Sequence, residues 1–403
     1  MTRKLELGAV ISLLVLSSSS QARWQPSKTD TPRTSIKALD LSTAPHFDKE
    51  LLLELTSETS ANVSIGDLDG DGNLDLVLAK GRHWPLVDRV LFGDGHGGFP
   101  VARNLGTASD RSYSGHLVDL DGDGDLDVVI SNDKPDPKLV YLNDGKGHFA
   151  LGSAYGHSEW PTRNASVADM NGDGRPEIIV ANRFGKDLGG ANDICLNRGE
   201  GRFDSDCIAF SHESATTVTP ADFNDDGLMD LVVPNRDGGQ SFVYMNVSKE
   251  KFPEFRRVPF GPADATIRVA EVADLNHDGR LDIVTIDERQ GVAVYFGEAR
   301  GEFSAAVPIT SDVGVPYALV LRDLNHDGAV DIVVGHVESP SSVLYNDGSG
   351  RHFARVAFGD KKGTVYGFDI ADLDKDGVLD IAAARSEAPN TVYFGAVPKG
   401  RTH

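Results

Sequence analysis

Nine residues constrain this chain more than any others, because they recur. DLDGDGNLD at Asp67 returns as DLDGDGDLD at Asp119, DMNGDGRPE at Asp169, DFNDDGLMD at Asp222, DLNHDGRLD at Asp274, DLNHDGAVD at Asp323 and DLDKDGVLD at Asp372. Successive copies begin 52, 50, 53, 52, 49 and 49 residues apart. A period near 50 is that of a repeat architecture whose units cannot bury their apolar faces alone. Each copy follows an alternating segment such as SYSGHLV and precedes an apolar run such as LDVVI. A third run then leads through a glycine turn to a phenylalanine, as in VYLNDGKGHF. Each unit therefore predicts four short antiparallel strands joined by hairpins.

Seven such units predict an all-β fold, a seven-bladed propeller, rather than a linear solenoid. The last unit stops at Gly395 without its phenylalanine-led strand, whereas Phe47 stands 20 residues before Asp67, the interval of Phe99 to Asp119 and Phe149 to Asp169. The N-terminal strand is thus predicted to complete the last blade and close the ring, leaving no open edge between blades. The expected organisation is a signal peptide over 1–22, a polar linker over 23–45, the propeller over 46–395 and a tail over 396–403. The signal reading rests on a basic start, an apolar run from Leu7 to Leu16 and small residues ending at Ala22. That run is too short to span a bilayer. A secreted or periplasmic protein is expected, with its only cysteines, Cys195 and Cys207, paired across a hairpin. Through these repeats the chain resembles the FG-GAP and VCBS repeat families. The resemblance implies the propeller of the integrin α-subunit head and leaves function open, since those families include adhesion modules, lectin-like proteins and some enzymes.

Carboxylates or amides at loop positions 1, 3, 5 and 9, with glycine at 6, supply the oxygen shell a hard cation requires. Up to seven structural Ca²⁺ are therefore expected. The ligands would be Asp67, Asp69, Asp71 and Asp75 with Asn73; Asp119, Asp121, Asp123 and Asp127 with Asp125; Asp169, Asn171, Asp173 and Glu177; Asp222, Asn224, Asp226 and Asp230; Asp274, Asn276, Asp278 and Asp282; Asp323, Asn325, Asp327 and Asp331; and Asp372, Asp374, Asp376 and Asp380. The third loop departs most from the pattern, through Pro176 and the longer Glu177. The loops hold 26 of the 61 acidic residues; the remaining 35 face 36 lysines and arginines outside the loops. The net charge of −22 thus belongs to the loops, and a nucleic-acid partner is not expected.

Function is expected on the opposite face, where the chain enters strand 1 and leaves strand 2. Six positions before each loop stand Ala61, Tyr113, Arg163, Thr216, Arg268, Tyr317 and Tyr366. Five positions after it stand Lys80, Asn132, Asn182, Asn235, Asp287, His336 and Arg385, with Arg82, His83, Trp84, Lys134, Arg183, Arg236 and Arg289 just beyond. These columns vary from blade to blade while the acidic loops hardly do, which points to one asymmetric central pocket rather than a site in every blade. Arginine matches carboxylate or sulfate, and aromatic faces suit sugar rings, so an anionic or polyhydroxylated carbohydrate is the expected ligand of a monomer without a membrane span. The catalytic form of this reading is a polysaccharide lyase or sugar dehydratase. It would use Tyr113, Tyr317 or Tyr366 with His83 or His336 to move protons, the tyrosine lowered by adjacent arginines. Some secreted propellers that this chain resembles eliminate across uronate sugars. The alternative is a non-catalytic adhesion or protein-interaction module.

Overall fold

The computed structural model describes residues 41–42, 44–185, 189–248, 253–299, 301–309 and 314–398. The expected signal peptide and nearly all of the expected linker lie outside these residues, as does the end of the tail.

Strand β1 (His46–Leu52) comes first, and the units follow in order. Blade 1 is β2 (Ser60–Gly66), β3 (Asp75–Lys80), β4 (Arg89–Phe92) and β5 (Val101–Asn104). Blade 2 is β6 (Ser112–Val118), β7 (Asp127–Asn132), β8 (Lys138–Asn143) and β9 (Phe149–Tyr155). Blade 3 is β10 (Thr162–Ala168), β11 (Glu177–Asn182), β12 (Asn192–Cys195) and β13 (Ile208–Ser211). Blade 4 is β14 (Thr219–Ala221), β15 (Asp230–Val233), β16 (Gly239–Asn246) and β17 (Phe255–Ala265). Blade 5 is β18 (Ile267–Ala273), β19 (Asp282–Asp287), β20 (Gly291–Tyr295) and β21 (Val307–Ile309), and blade 6 is β22 (Val315–Arg322), β23 (Asp331–Val337), β24 (Ser341–Asn346) and β25 (Phe353–Phe358). Blade 7 has only β26 (Thr364–Ala371), β27 (Asp380–Ser386) and β28 (Thr391–Ala396) from this end of the chain.

Its fourth strand is β1, which pairs antiparallel with β28 from His46 opposite Ala396 to Leu52 opposite Thr391. Phe47 is buried against Phe358 at 5.5 Å between ring centroids, and the Tyr345 hydroxyl donates to the Pro45 carbonyl at 2.7 Å. The closure expected from the Phe47 interval is the closure observed. Cys195 and Cys207 form the expected disulfide.

Seven separate apolar clusters fill the seven contacts between neighbouring blades. Blade 1 packs on blade 2 through Val77, Val90, Val128 and Ile130, and blade 7 packs on blade 1 through Leu76, Leu78, Ala382 and Val392. The strand-2 residues β3, β7, β11, β15 and β19 are buried throughout, as expected for a strand covered on both sheet faces.

Polar side chains fasten the same contacts near the acidic loops. The last acid of every loop is buried, and its two oxygens accept from the second residue of its own loop and from the end of strand 3. For Asp75 these donors are the Leu68 and Gly93 amides, both at 2.8 Å. For Asp380 they are Leu373 at 2.8 Å and Gly395 at 2.9 Å, and Glu177 repeats the pattern with Met170 and Asn197. Where strand 3 ends in asparagine, its amide also reaches the preceding blade: Asn143 donates to Leu68 O at 2.8 Å and Asn346 to Leu275 O at 2.8 Å. Glycine replaces asparagine in blade 1, where a Cβ on Gly93 would lie 2.2 Å from the Leu74 carbonyl oxygen.

Candidate functional site

The chain enters strand 1 through an irregularity that repeats. The register between strands 1 and 2 shifts between Ser60 and Asn62, Ser112 and Ser114, Thr162 and Asn164, Ile267 and Val269, Pro316 and Ala318, and Val365 and Gly367. The skipped residue is in every case the one six positions before the loop. A β-bulge leaves its extra residue unpaired and re-aims the side chain. Here it gathers Ala61, Tyr113, Tyr317 and Tyr366 into one buried cluster at the end of the channel opposite the acidic loops. Strand 1 of blade 4 starts only at Thr219, so Thr216 reaches this level without a bulge and donates to the Arg268 carbonyl at 2.5 Å.

Arginines interleave with these rings. Arg82 lies 4.0 Å from the Tyr366 ring centroid and 5.4 Å from that of Tyr113, Arg163 lies 4.6 Å from Tyr113, and Arg268 lies 3.8 Å from Tyr317. Tyr317 and Tyr366 meet edge to face at 4.9 Å. Acids from neighbouring blades offset part of the charge. Arg163 pairs with Asp133 at 2.6 Å, Arg183 with Asp237 at 2.7 Å, and Arg236 and Arg268 share Glu288 at 2.5 Å each. Arg82 has no carboxylate within ion-pair distance among the described residues, and its Nε and Nη2 lack hydrogen-bond partners, as do Nε and Nη1 of Arg268 and the hydroxyl of Tyr317. Five guanidinium groups thus face three carboxylates, and the end of the channel is electropositive inside an acidic protein.

A pocket of about 560 Å³ opens beside this cluster between blades 5 and 6. Arg268 and Tyr317 form its inner wall, and Asp287, Glu288, Arg289 and Gln290 its rim. The Asp287 carboxylate accepts from Thr266 and from the Arg289 and Gln290 amides at 2.8–3.1 Å, fixing the rim turn.

The other expected residues divide. The Tyr113 hydroxyl lies 3.2 Å from His83 Nδ1, and Trp84 next to it is 69% exposed, so this edge faces solvent. Partial burial and the guanidinium groups of Arg82 and Arg163 lower His83 to about 4, leaving it neutral near pH 7. At Tyr113 and Tyr366 the expected lowering by arginine does not occur. Burial raises Tyr113 despite Arg163 and Arg82, and raises Tyr366 despite Arg82. Dehydration of a phenolate outweighs the attraction of partly neutralised guanidinium groups at these sites.

Of the column five positions after each loop, Lys80, Asn132, Asn182, Asn235 and Arg385 are held by contacts at the turn into strand 3. Lys80 is buried between Glu54 and Glu58, and Asn132 donates to the Pro137 carbonyl at 2.6 Å. Asn182 donates to Ala191 O at 2.9 Å, and Asn235 Oδ1 accepts from the Asp237 amide at 3.2 Å. Arg385 is buried against Asp360 and the Lys362 carbonyl. His336 is buried on β23 opposite Pro316, and burial with Arg355 lowers it to about 4; Lys134 is exposed.

At the other face the loops repeat closely. In all seven, the first aspartate accepts from the amide of the sixth residue, as Asp67 does from Gly72 at 3.0 Å and Asp372 from Gly377 at 2.9 Å. That glycine has φ between 81° and 97° throughout, and the fourth residue is left-handed even where it is Asp225, His277, His326 or Lys375. Carboxylate oxygens of Asp67, Asp69 and Asp71 converge within 4.8 Å of one another, as do those of Asp119, Asp121 and Asp127 and of Asp372, Asp374 and Asp380. These are the loops with aspartate at position 3. In the loops with asparagine there, its amide donates to the position 5 carboxylate in blades 4, 5 and 6, and arginine pairs with that carboxylate in blades 3 and 5. The donor chemistry fits an oxygen-coordinated cation in all seven loops, most fully in blades 1, 2 and 7.

Six overlapping segments, residues 67–130, 119–180, 169–233, 222–285, 274–334 and 323–383, match the FG-GAP-like repeat model, and the chain belongs to that family. No curated protein matches it in sequence. Among solved structures it is similar to an Agrocybe aegerita lectin described as recognising non-reducing terminal N-acetylglucosamine, with 19% identity over 82% of this chain and 87% of that one, at a TM-score of 0.52. It is also similar to BBS1N in complex with ARL6DN, with 11% identity over 89% of this chain and 98% of that one, at a TM-score of 0.57. These likenesses bear on the fold.

Proposed function

We propose that this protein is an exported, Ca²⁺-stabilised carbohydrate-binding propeller, with one site for an acidic saccharide at the arginine and tyrosine end of the channel. The observation that carries the proposal is the wall shared by Arg268 and Tyr317. It joins an open pocket to a cluster of guanidinium groups whose hydrogen-bonding capacity is only partly spent on Asp133, Asp237 and Glu288. A uronate or sulfate group offers paired acceptors for such donors, and the Arg289 rim offers further contact. The lectin neighbour agrees with a saccharide ligand. Binding is preferred to elimination because burial raises Tyr113 and Tyr366, and the Tyr317 hydroxyl in the pocket wall has no hydrogen-bond partner to take its proton.

The test is calorimetric titration of the Ca²⁺-loaded protein with uronate and neutral oligosaccharides, with absorbance followed for unsaturated products. Uronate oligosaccharides are expected to bind, and Arg268→Ala to weaken binding roughly 10- to 100-fold, the range of a charge-assisted hydrogen bond. Absence of binding by every acidic saccharide would refute the proposal. Appearance of unsaturated product would restore the lyase.

A further inference from the structure

The other end of the channel, between the acidic loops, has a different chemistry. Three positions before each loop, strand 1 presents Ser64, His116, Ser166, Thr219, Glu271, Val320 and Asp369, one from each blade. Most of this ring is spent on the next blade. Ser64 donates to Gly115 O at 2.6 Å, Ser166 to Val218 O at 2.8 Å and Thr219 to Ala270 O at 2.6 Å. His116 Nε2 lies 3.1 Å from Asn164 Oδ1, and Asp369 accepts from the Ile65 amide at 2.8 Å. Val320 is apolar. Glu271 alone is polar and unspent: it is 97% buried (3% exposed), its Oε1 has no hydrogen-bond partner, and no cation lies within ion-pair distance among the described residues.

Glu271 faces a cavity of about 1040 Å³ between the acidic loops, walled by side chains such as Val118, Val167, Val272 and Leu321. Asp169, Asp222 and Asp323 stand at its mouth with Arg322, which is exposed and lies toward Asp369. A buried carboxyl without a partner is costly in a native structure unless something that enters the site satisfies it. Because its ring neighbours are already bonded, Glu271 is the one polar member of the ring left without a partner, and apolar side chains flank it inside the acidic mouth. We infer that this cavity binds an amphipathic organic ammonium ion, its cationic head on Glu271 and its apolar body along the channel walls. Burial raises the Glu271 carboxyl well above the carboxylate range, so an arriving ammonium would displace its proton to solvent. The inference does not depend on the saccharide site, which lies at the opposite end of the ring.

The full chain, saturated with Ca²⁺, is titrated calorimetrically with n-octylammonium chloride, and in parallel with 1-octanol and octanoate. Octylammonium is expected to bind at least tenfold more tightly than octanol, with octanoate not binding and protons released to the buffer as ammonium binds. Glu271→Gln should erase the preference for ammonium over alcohol. Equal binding of octylammonium and octanol, or a preference that survives Glu271→Gln, would overturn the inference. Should Glu271→Gln not fold, Ala273→Phe decides. Its ring stands on the same strand face two residues on and fills the cavity beside Glu271, so octylammonium binding must be lost. Binding that persists in Ala273→Phe overturns the inference equally.

Discussion

Replacing Phe47 with alanine should weaken the whole propeller, although the residue stands at the start of the fold and touches no candidate site. Phe47 is 97% buried (3% exposed) in the cluster shared by blades 6 and 7, against Phe358 and in one core with Val356 and Tyr393. Phenylalanine to alanine at such a position costs about 3–5 kcal/mol through lost transfer energy and the cavity left behind. Deleting residues 46–52 goes further. It uncovers the β28 edge, removes the pairing from His46 to Leu52, and exposes Tyr393 and Phe394. The loss should then reach the order of a domain's entire stability, about 5–15 kcal/mol. Urea unfolding followed by circular dichroism measures both changes, with removal of residues 23–40 as the control. The Phe47 variant should unfold at clearly lower urea, the strand deletion should fail to give a cooperative transition, and the control should match the parent. Equal midpoints for all three proteins would refute the closure argument.

Two further outcomes are expected. Chelation should lower the melting temperature substantially, because carboxylates held within 4.8 Å of one another in blades 1, 2 and 7 repel once a cation leaves; equilibrium dialysis showing no Ca²⁺ uptake would remove the metal. His116 should make stability depend on acidity. Burial lowers its imidazole from 6.5 to about 4, so the unfolded chain takes up the proton first, and stability is lost as pH falls from about 6.5 to 4, by about 3 kcal/mol in all. His116→Gln should flatten that part of the stability curve relative to wild type, and superimposable slopes would count against the burial argument.

How far the sequence could be read depended on whether a feature recurred from blade to blade. The loops, the four-strand unit and the Phe47 closure repeat along the chain, so spacing alone revealed them, and the Tyr and Arg column was found by the same alignment. The bulge that turns Tyr113, Arg268 and Tyr317 inward was not legible, because a register shift follows from pairing rather than residue type. Lys80, Asn132 and Arg385 look like ligand residues in sequence. Glu54 and Asp360 are brought to Lys80 and Arg385 from about 25 residues away by the fold, and Asn132 is taken by the nearby Pro137 carbonyl. The raised tyrosines follow from burial that an arginine-rich sequence conceals. Glu271 resembled any strand residue until its six ring neighbours could be compared.

The central claim is that this ring has one saccharide site where a lectin of repeated sites would have one per blade. Its most direct test is the stoichiometry of acidic oligosaccharide binding by calorimetry in saturating Ca²⁺, on wild type and Arg268→Ala. The account predicts one oligosaccharide per chain, with affinity sharply reduced in the variant. Several equivalents per chain, indifferent to Arg268, would place binding on the blades and contradict it.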